Sequence, residues 1–152
     1  MIKIKYLSSY PHKLAPAIIG DAGIDIVSNM AVDIFANDTE LIHTGLYVEI
    51  PEGYYIEVVG RSSLHKNGIH VNKGIIDTGY RGEILVSMSN RNLWDINQGS
   101  YYTVERGDRI AQLIVKKKVE AEFIPVDKLE DSERGEDGFG STDRWWFTRY
   151  SW

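Results

Sequence analysis

Apolar and polar residues alternate along most of the chain with a period of two. Ile2, Ile4 and Tyr6 open this pattern, and Tyr54 to Val59 is a later run rich in β-branched and aromatic residues. Such alternation predicts strands with one buried face. Turn residues such as Pro51-Glu52-Gly53 separate the runs, and helical periodicity is almost absent. The chain therefore predicts an all-β sandwich or barrel, beginning with a half-buried strand.

Further strands follow the same pattern. They are expected over 31–34, 41–50, 83–90, 101–104 and 109–115, with a bulge at Thr44-Gly45 in the longest of them. The stretch from Arg61 to Gly68 breaks the alternation and predicts a short helical turn, capped by serine and closed by Gly68. Its start would bring backbone N–H groups, hydroxyls and a guanidinium together, which favours an anion site.

The stretch from Gly74 to Leu85 combines a turn with candidate chemistry. An apolar pair leads into Asp77-Thr78-Gly79 and an alternating strand follows, which predicts a hairpin with Gly79 at positive φ. The tip carries a carboxylate, Tyr80 and Arg81, and its backbone groups can contact a flat polar ring. An ordinary turn with a solvated aspartate is the alternative, because turns use Asp routinely.

Composition narrows the class of protein. The 152 residues predict a single core, and the absence of cysteine excludes disulfides and Cys-ligated zinc. A net charge of −5 without a basic stripe argues against nucleic acid as a partner. No apolar run approaches the roughly 20 residues that cross a membrane, and the four histidines show no metal-ligand spacing. We expect a soluble intracellular protein, in the cytoplasm or nucleus, with no targeting segment.

The pattern changes near the C-terminus. We expect a β domain over 1–130 and a flexible arm over 131–152, because the arm is acidic, Gly-rich and without strand alternation. Arg134 and Phe139 lie in its Gly-rich part, 134–142, and make structural sense there if they close over a ligand. An aromatic tail follows, which we expect to pack on a neighbouring subunit, with binding of another protein partner as the alternative.

Five stretches together resemble the five sequence motifs of the trimeric deoxyuridine triphosphatases, or dUTPases. They are, in order, Asp21 to Ile26, Gly60 to Leu64, Gly74 to Glu83, Gly107 to Ile114, and Arg134-Gly135 with Gly138 to Thr142. Each stretch alone is weak evidence, but their common order and spacing are specific.

The resemblance implies a jelly-roll or β-sandwich subunit with a distorted barrel, in a homotrimer whose active sites are shared between chains. It implies hydrolysis of dUTP to dUMP and pyrophosphate by attack of water on the α-phosphorus, with Mg²⁺ on the triphosphate. Such activity limits uracil incorporation into DNA and supplies dUMP for thymidylate synthesis.

The resemblance also implies a role for each matching residue. Asp77 is the expected general base, Gln112 contacts phosphate, and the Tyr80 ring lies under the deoxyribose. Asp25 helps to place the hydrated magnesium through water. Arg61, Ser62 and Ser63 are expected to contact the phosphates, and the backbone of Gly74, Ile75, Ile76 and Leu85 is expected to pair with the uracil. In the arm, Arg134 would contact the γ-phosphate and Phe139 would stack on the uracil. Gly140 and Ser141 would contact the phosphates when the arm closes.

Two rival functions are weighed against this one. A dCTP deaminase resembles this chain in fold and in its Arg-Ser-Ser stretch, but Ser87 stands where its catalytic Glu is expected. A regulatory protein on a dUTPase scaffold would not need turnover, and the intact Asp77, Tyr80 and Gln112 argue against it. Each predicted site residue, considered alone, also has a purely structural explanation. Gln112, for example, lies in an apolar strand, where its side chain can satisfy a buried backbone group.

Overall fold

The computed structural model describes residues 2–93, 101–133 and 135. The chain divides into two compact units, Met1–Val119 and Glu120–Trp152. In the second unit, the described residues contain neither helix nor strand, and their side chains are exposed. The expected boundary between 130 and 131 stays a prediction, because most of the chain beyond it lies outside the described residues.

The first unit confirms the all-β prediction. Its described residues form eleven strands and one short helix. In chain order these are β1 Lys5–Ser8, β2 Gly23–Val27, β3 Val32–Phe35, β4 Thr39–His43, β5 Leu46–Glu49, β6 Tyr54–Val59, α1 Ser62–Lys66, β7 Ile69–Val71, β8 Gly74–Ile76, β9 Leu85–Asn90, β10 Tyr101–Val104 and β11 Arg109–Lys117. No helix among the described residues is long and apolar enough to cross a membrane.

The strands pair in four sheets. A four-stranded sheet has the order β2-β11-β6-β8, a three-stranded sheet has the order β4-β9-β7, and β1-β5 and β10-β3 form two ribbons. All pairs are antiparallel. The expected distorted barrel is wrong for the described residues, since each sheet keeps two open edges and none closes on itself.

Strand alternation builds the core. In β6, Ile56 and Val58 are buried while Tyr55, Glu57 and Val59 are half-buried on the other face. The same periodicity in the other strands contributes fully buried apolar side chains such as Ile34, Ile42, Val86, Met88 and Ile110. Burying such side chains supplies most of the favourable free energy of folding.

The predicted hairpin between Gly74 and Leu85 is wrong. β8 pairs with β6, with Ile76 opposite Ile56, whereas β9 pairs with β4 and β7 in another sheet. Residues 77–84 therefore connect two sheets. The glycine at the bend, Gly79, does not adopt positive φ, because the turn closes through the Tyr80 N–H and the Asp77 carbonyl, 3.0 Å apart, without that conformation.

Two local predictions also need correction. The expected long strand over 41–50 is two strands in different sheets, because the chain changes direction at Gly45, where φ is +64°. The helix α1 lies where it was predicted and is followed by Gly68 at φ +74°. Its N-cap is Arg61 rather than a serine, and no side chain caps it by a hydrogen bond.

Candidate functional site

A small cavity lies beside the connection between β8 and β9. Its volume is about 290 Å³, and it is lined by Ile75, Ile76, Asp77, Tyr80, Glu83 and Leu85. Five of these residues were predicted site residues, and the fold places them together although β8 and β9 belong to different sheets. Its lining combines apolar residues from the ends of both strands with Asp77, Tyr80 and Glu83 from the connection.

Hydrogen bonds fix the segment that carries Asp77. The Thr78 hydroxyl donates to the Tyr54 carbonyl at 2.7 Å, which ties the turn to the end of β6. Arg81 bends back, and its Nη1 donates to the carbonyls of Thr78 and Tyr80, both at 2.8 Å. Arg81 therefore stabilises the turn, while Asp77 stays exposed at the cavity wall.

The Tyr80 ring lies over Gly82 and is 43% exposed. Its hydroxyl donates to the Glu83 carbonyl at 2.9 Å. A Cβ atom at position 82 would come within 2.6 Å of Tyr80 Cζ, closer than real Cβ contacts allow. Glycine at this position therefore leaves room for the Tyr80 ring.

Glu83 is anchored by its side chain. Its Oε1 accepts the Gly45 N–H at 2.7 Å, and its Oε2 lies 2.8 Å from His43 Nδ1. Burial acts to raise the pKa of Glu83, but the contact with His43 and the N–H of Gly45 outweigh it and hold the pKa below its ordinary value of 4.5. The carboxylate is therefore the stabilised form in the folded protein.

This shift predicts a pH-dependent contribution to stability. A pKa that folding lowers adds stability above the unfolded value, and the contribution disappears as the pH falls through the folded value. We expect Glu83→Gln to lower the free energy of unfolding at pH 7, with a difference from wild type that shrinks as the pH falls through the lowered pKa. Urea unfolding of both proteins over a series of pH values from neutral to acid measures this. A difference that stays the same throughout the series would contradict it.

A second group of polar side chains surrounds Asp25, which is 8% exposed. Arg61 Nε and Gln112 Nε2 each donate to Asp25 Oδ1 at 3.0 Å, and Arg109 Nη1 donates to Oδ2 at 3.2 Å. Asp25 and Gln112 are cross-strand partners in the β2–β11 ladder. One carboxylate therefore orients two guanidinium groups and an amide.

Glycine and a strand irregularity shape this second group. A Cβ atom at position 23 would lie 2.9 Å from Gln112 Cδ, so Gly23 leaves room for the glutamine. The β2–β11 register shifts between Arg109 and Ala111. In a regular strand residues 109 and 112 face opposite sides, and the irregularity allows both to reach Asp25. Arg109 was not among the predicted site residues, although it lies within the fourth motif-like stretch.

The two predicted serines lie at the start of α1. Ser62 and Ser63 are exposed and directly follow Arg61. Their hydroxyls and that guanidinium share one end of a single helical turn, and their contact with phosphate stays a prediction.

The residues that the structure describes do not form a direct metal site. No group of three His, Asp or Glu residues among them has suitable geometry. Both oxygens of Asp25 already accept hydrogen bonds from cationic or amide groups. Mg²⁺ keeps several waters and prefers one or two carboxylates plus substrate phosphates. The nearly buried Asp25 carboxylate is compatible in its chemistry with a magnesium ion that keeps its own waters.

Four predicted site residues lie outside the described part of the chain, namely Arg134, Phe139, Gly140 and Ser141. Of the others, the fold assembles two separate groups, the cavity at Asp77 and the cluster at Asp25. Glu83 and His43, like Arg109, were not predicted as site residues. The contacts of all three join segments distant in sequence, which local patterns do not reveal.

The fold and these two groups define a class, an all-β protein with a small cavity that carries an exposed aspartate and with an arginine–glutamine cluster suited to anions. A family model described as dUTPase matches residues 10–143. The deoxyuridine 5'-triphosphate nucleotidohydrolase of Leifsonia xyli subsp. xyli is 43% identical over 126 residues, 81% of this chain and 80% of that protein. The chain belongs to the dUTPase family.

Solved structures agree with this assignment. The dUTPase of Staphylococcus bacteriophage 80alpha with dUPNHPP has a TM-score of 0.83 and 28% identity, and the match covers 93% of this chain and 98% of that one. The D95N mutant dUTPase of phage phi11 of S. aureus, for which coordination of a structural Mg(II) ion is described, shares the fold with a TM-score of 0.76 at 24% identity. That match covers 86% of this chain and 100% of that one.

Proposed function

We propose that this chain hydrolyses dUTP to dUMP and pyrophosphate, with water as the nucleophile. The supporting observation is the cavity where Asp77 and Tyr80 lie beside an open strand edge. β8 is the last strand of its sheet in the described part of the chain, so one edge of Gly74–Ile76 has no neighbouring strand. Its backbone N–H and C=O groups are available to a flat ring with donors and acceptors.

Uracil suits such an edge because its N3–H donates and its carbonyl oxygens accept. Cytosine has an acceptor at N3 and a donor on its amino group, so it would leave polar groups unpaired. Each unpaired buried group costs about 1–3 kcal/mol. Leu85 at the start of β9 contributes the apolar wall opposite Ile75 and Ile76. The Tyr80 ring would lie under the sugar and leave no room for a 2′-hydroxyl.

Asp77 is the proposed general base. It would take a proton from water as the oxygen attacks the α-phosphorus. The bond from that phosphorus to the bridging oxygen breaks, and pyrophosphate leaves with the oxygen. General base catalysis contributes about 10²–10⁴-fold. The rest of the acceleration must come from positioning and from neutralising the triphosphate.

The cluster at Asp25 is the proposed phosphate site. Arg61 and Gln112 would contact phosphate oxygens, with hydroxyl donors from Ser62 and Ser63. Because Asp25 already orients Arg61 and Gln112, these donors need little rearrangement when substrate binds. Mg²⁺ bound to the triphosphate would neutralise part of its charge. A contact of Asp25 with this ion through water is the finer part of the proposal.

The distance between the two groups supports a shared site in a homotrimer. Asp77 follows Ile76, which pairs with Ile56, whereas Gln112 pairs with Val59 at the other end of β6. By this pairing Asp77 lies level with Tyr55, about 13 Å from Val59 along the strand, and β8 and β11 are about 10 Å apart across the sheet. Both side chains must reach the α-phosphate, so we infer that they come from different chains.

The C-terminal arm is the proposed lid, with Arg134 on the γ-phosphate, Phe139 on the uracil face, and Gly140 and Ser141 on the phosphates. We expect truncation after Asp131 to leave a folded oligomer that turns over dUTP about 10²-fold more slowly, because closure and charge neutralisation are lost. Size-exclusion chromatography and pyrophosphate release measure the two properties. Full activity of the truncated protein would show that the arm does not act as a lid.

Pyrophosphate release from dUTP, dCTP, dTTP and UTP, compared side by side, tests the proposed function. We expect release from dUTP alone, because the strand edge selects the base and Tyr80 selects the sugar. Ammonia release from dCTP would instead favour a deaminase. Binding of dUTP without release would favour a regulatory protein on this scaffold, a role with a precedent, since phage 80alpha dUTPases are described as controlling the transfer of virulence genes.

A further inference from the structure

We propose that Glu83 is a positioning residue that sets selectivity for deoxyribose by fixing the Tyr80 ring. The inference rests on the proposed function, because it concerns the same cavity. Glu83 contributes to this cavity with Asp77 and Tyr80, but its carboxylate is directed to another part of the fold. It connects the sugar-contacting ring to the segment between β4 and β5.

The carboxylate is held on both oxygens. Oε1 accepts the N–H of Gly45 at 2.7 Å, and Oε2 contacts Nδ1 of His43 at 2.8 Å. The Glu83 side chain is only 20% exposed, whereas the His43 side chain is 58% exposed. Hydrogen bonds to an ionised acceptor are the stronger kind, which makes the carboxylate a firm anchor.

The main chain beside Glu83 is attached to the same segment. The Ile84 N–H donates to the Leu46 carbonyl at 2.8 Å, and the Thr44 hydroxyl donates to the Ile84 carbonyl at 2.6 Å. The Glu83 carbonyl lies between the side-chain anchor and this main-chain anchor. Its position is therefore determined by residues 43–46.

That carbonyl is the acceptor for the Tyr80 hydroxyl. Tyr80 is not part of the buried core cluster, and its ring is 43% exposed, so core packing does not fix its orientation. Contact with Gly82 limits the ring on one side, and the hydroxyl bond fixes its tip. The anchor on Glu83 therefore determines where the ring lies.

A displaced ring would affect the sugar more than the chemistry. If Glu83 no longer holds its carbonyl in place, the Tyr80 tip can move and space opens for a 2′-hydroxyl. The turn that carries Asp77 has further hydrogen bonds, from the Thr78 hydroxyl to the Tyr54 carbonyl and from Arg81 to the Thr78 carbonyl, which do not involve the Tyr80 hydroxyl. The expected signature is a higher KM for dUTP and better use of UTP, with a smaller change in kcat.

The test measures kcat and KM with dUTP and with UTP for the full-length oligomer. The variants are Glu83→Ala, Glu83→Gln, Tyr80→Phe and the double variant Glu83→Ala/Tyr80→Phe. Glu105→Ala, exposed between β10 and β11, is the matched control. We expect Glu83→Ala to lower the dUTP/UTP ratio of kcat/KM by about tenfold. Glu83→Gln keeps an acceptor for the Gly45 N–H, so its dUTP/UTP ratio of kcat/KM should be close to that of the wild type.

The double variant separates positioning from an independent effect. If Glu83 acts through the Tyr80 hydroxyl, Glu83→Ala/Tyr80→Phe is no worse than the stronger single variant. Additive losses, or an unchanged ratio in Glu83→Ala, would overturn the inference while the proposed function stands. If Glu83→Ala does not fold, Tyr80→Phe provides the test. A dUTP/UTP ratio of kcat/KM that is unchanged in Tyr80→Phe would also overturn the inference. A wild-type protein without dUTP selectivity would instead overturn the proposed function.

Discussion

Replacing Asp77 with asparagine is expected to lower kcat for dUTP by about 10²–10⁴-fold while dUTP binding stays nearly unchanged. The amide has almost the same size as the carboxylate but cannot accept a proton from water. Asp77 is exposed at the cavity wall, so the substitution leaves no buried group unpaired. Pyrophosphate release measures turnover, and titration calorimetry with dUTP measures binding to the slow variant.

A matched aspartate on the surface provides the control. Asp38 is exposed between β3 and β4, and Asp38→Asn should retain wild-type kcat and KM. Normal turnover in Asp77→Asn would exclude Asp77 as the general base. Loss of binding together with turnover would instead show that Asp77 acts mainly in substrate binding.

Replacing Asp25 with asparagine is expected to affect both stability and activity. The nearly buried carboxylate accepts hydrogen bonds from Arg61, Arg109 and Gln112. The neutral side chain removes the negative charge beside two cations and places an N–H₂ group among their donors. We expect the free energy of unfolding to fall by roughly 1–3 kcal/mol, since the two arginines keep some contact with water.

The effect on activity follows from the same contacts. Without the carboxylate, Arg61 and Gln112 lose their common orientation, and KM for dUTP should rise by about tenfold or more. Asp33→Asn is a suitable control because Asp33 is exposed and accepts a bond only from Thr103 among its described contacts. Urea unfolding and steady-state kinetics measure both effects. Unchanged stability and KM would show that Asp25 does not organise the cluster.

Much of the strand pattern could be predicted because local alternation determines it. The run from Tyr54 to Val59 and the run from Tyr101 to Val104 are strands with the predicted bounds. The strand β7, Ile69–Val71, was not predicted, because three residues are too few to show a period-two alternation. The helical turn after Arg61 was located by its break in alternation and by Gly68.

Pairing between strands could not be predicted in the same way. The turn signal at Asp77-Thr78-Gly79 is equally compatible with a hairpin and with a connection between sheets. The choice depends on the pairing of Ile76 with Ile56 and of Leu85 with His43, which are contacts between distant segments. Local turn chemistry therefore located the candidate site but not its architecture.

In the candidate site too, single residues could be predicted but the contacts between them could not. The resemblance identified Asp25 and Gln112 separately, and the β2–β11 register is what brings them together. Arg109 joins them only through the irregularity in β11. Glu83 meets His43 and Gly45 only because the end of β4 pairs with the start of β9. Such contacts depend on tertiary packing, which no periodicity along the chain encodes.

Mixed oligomers test most directly whether Asp77 of one chain acts on a phosphate held by Arg61 of another. Asp77→Asn and Arg61→Ala chains, each nearly inactive alone, are unfolded together in equal amounts and refolded. In random assemblies about a quarter of the sites would combine an intact Asp77 with an intact Arg61 from a different chain, so we predict about a quarter of wild-type dUTP turnover. Turnover no higher than that of the separate variants would contradict a site shared between chains.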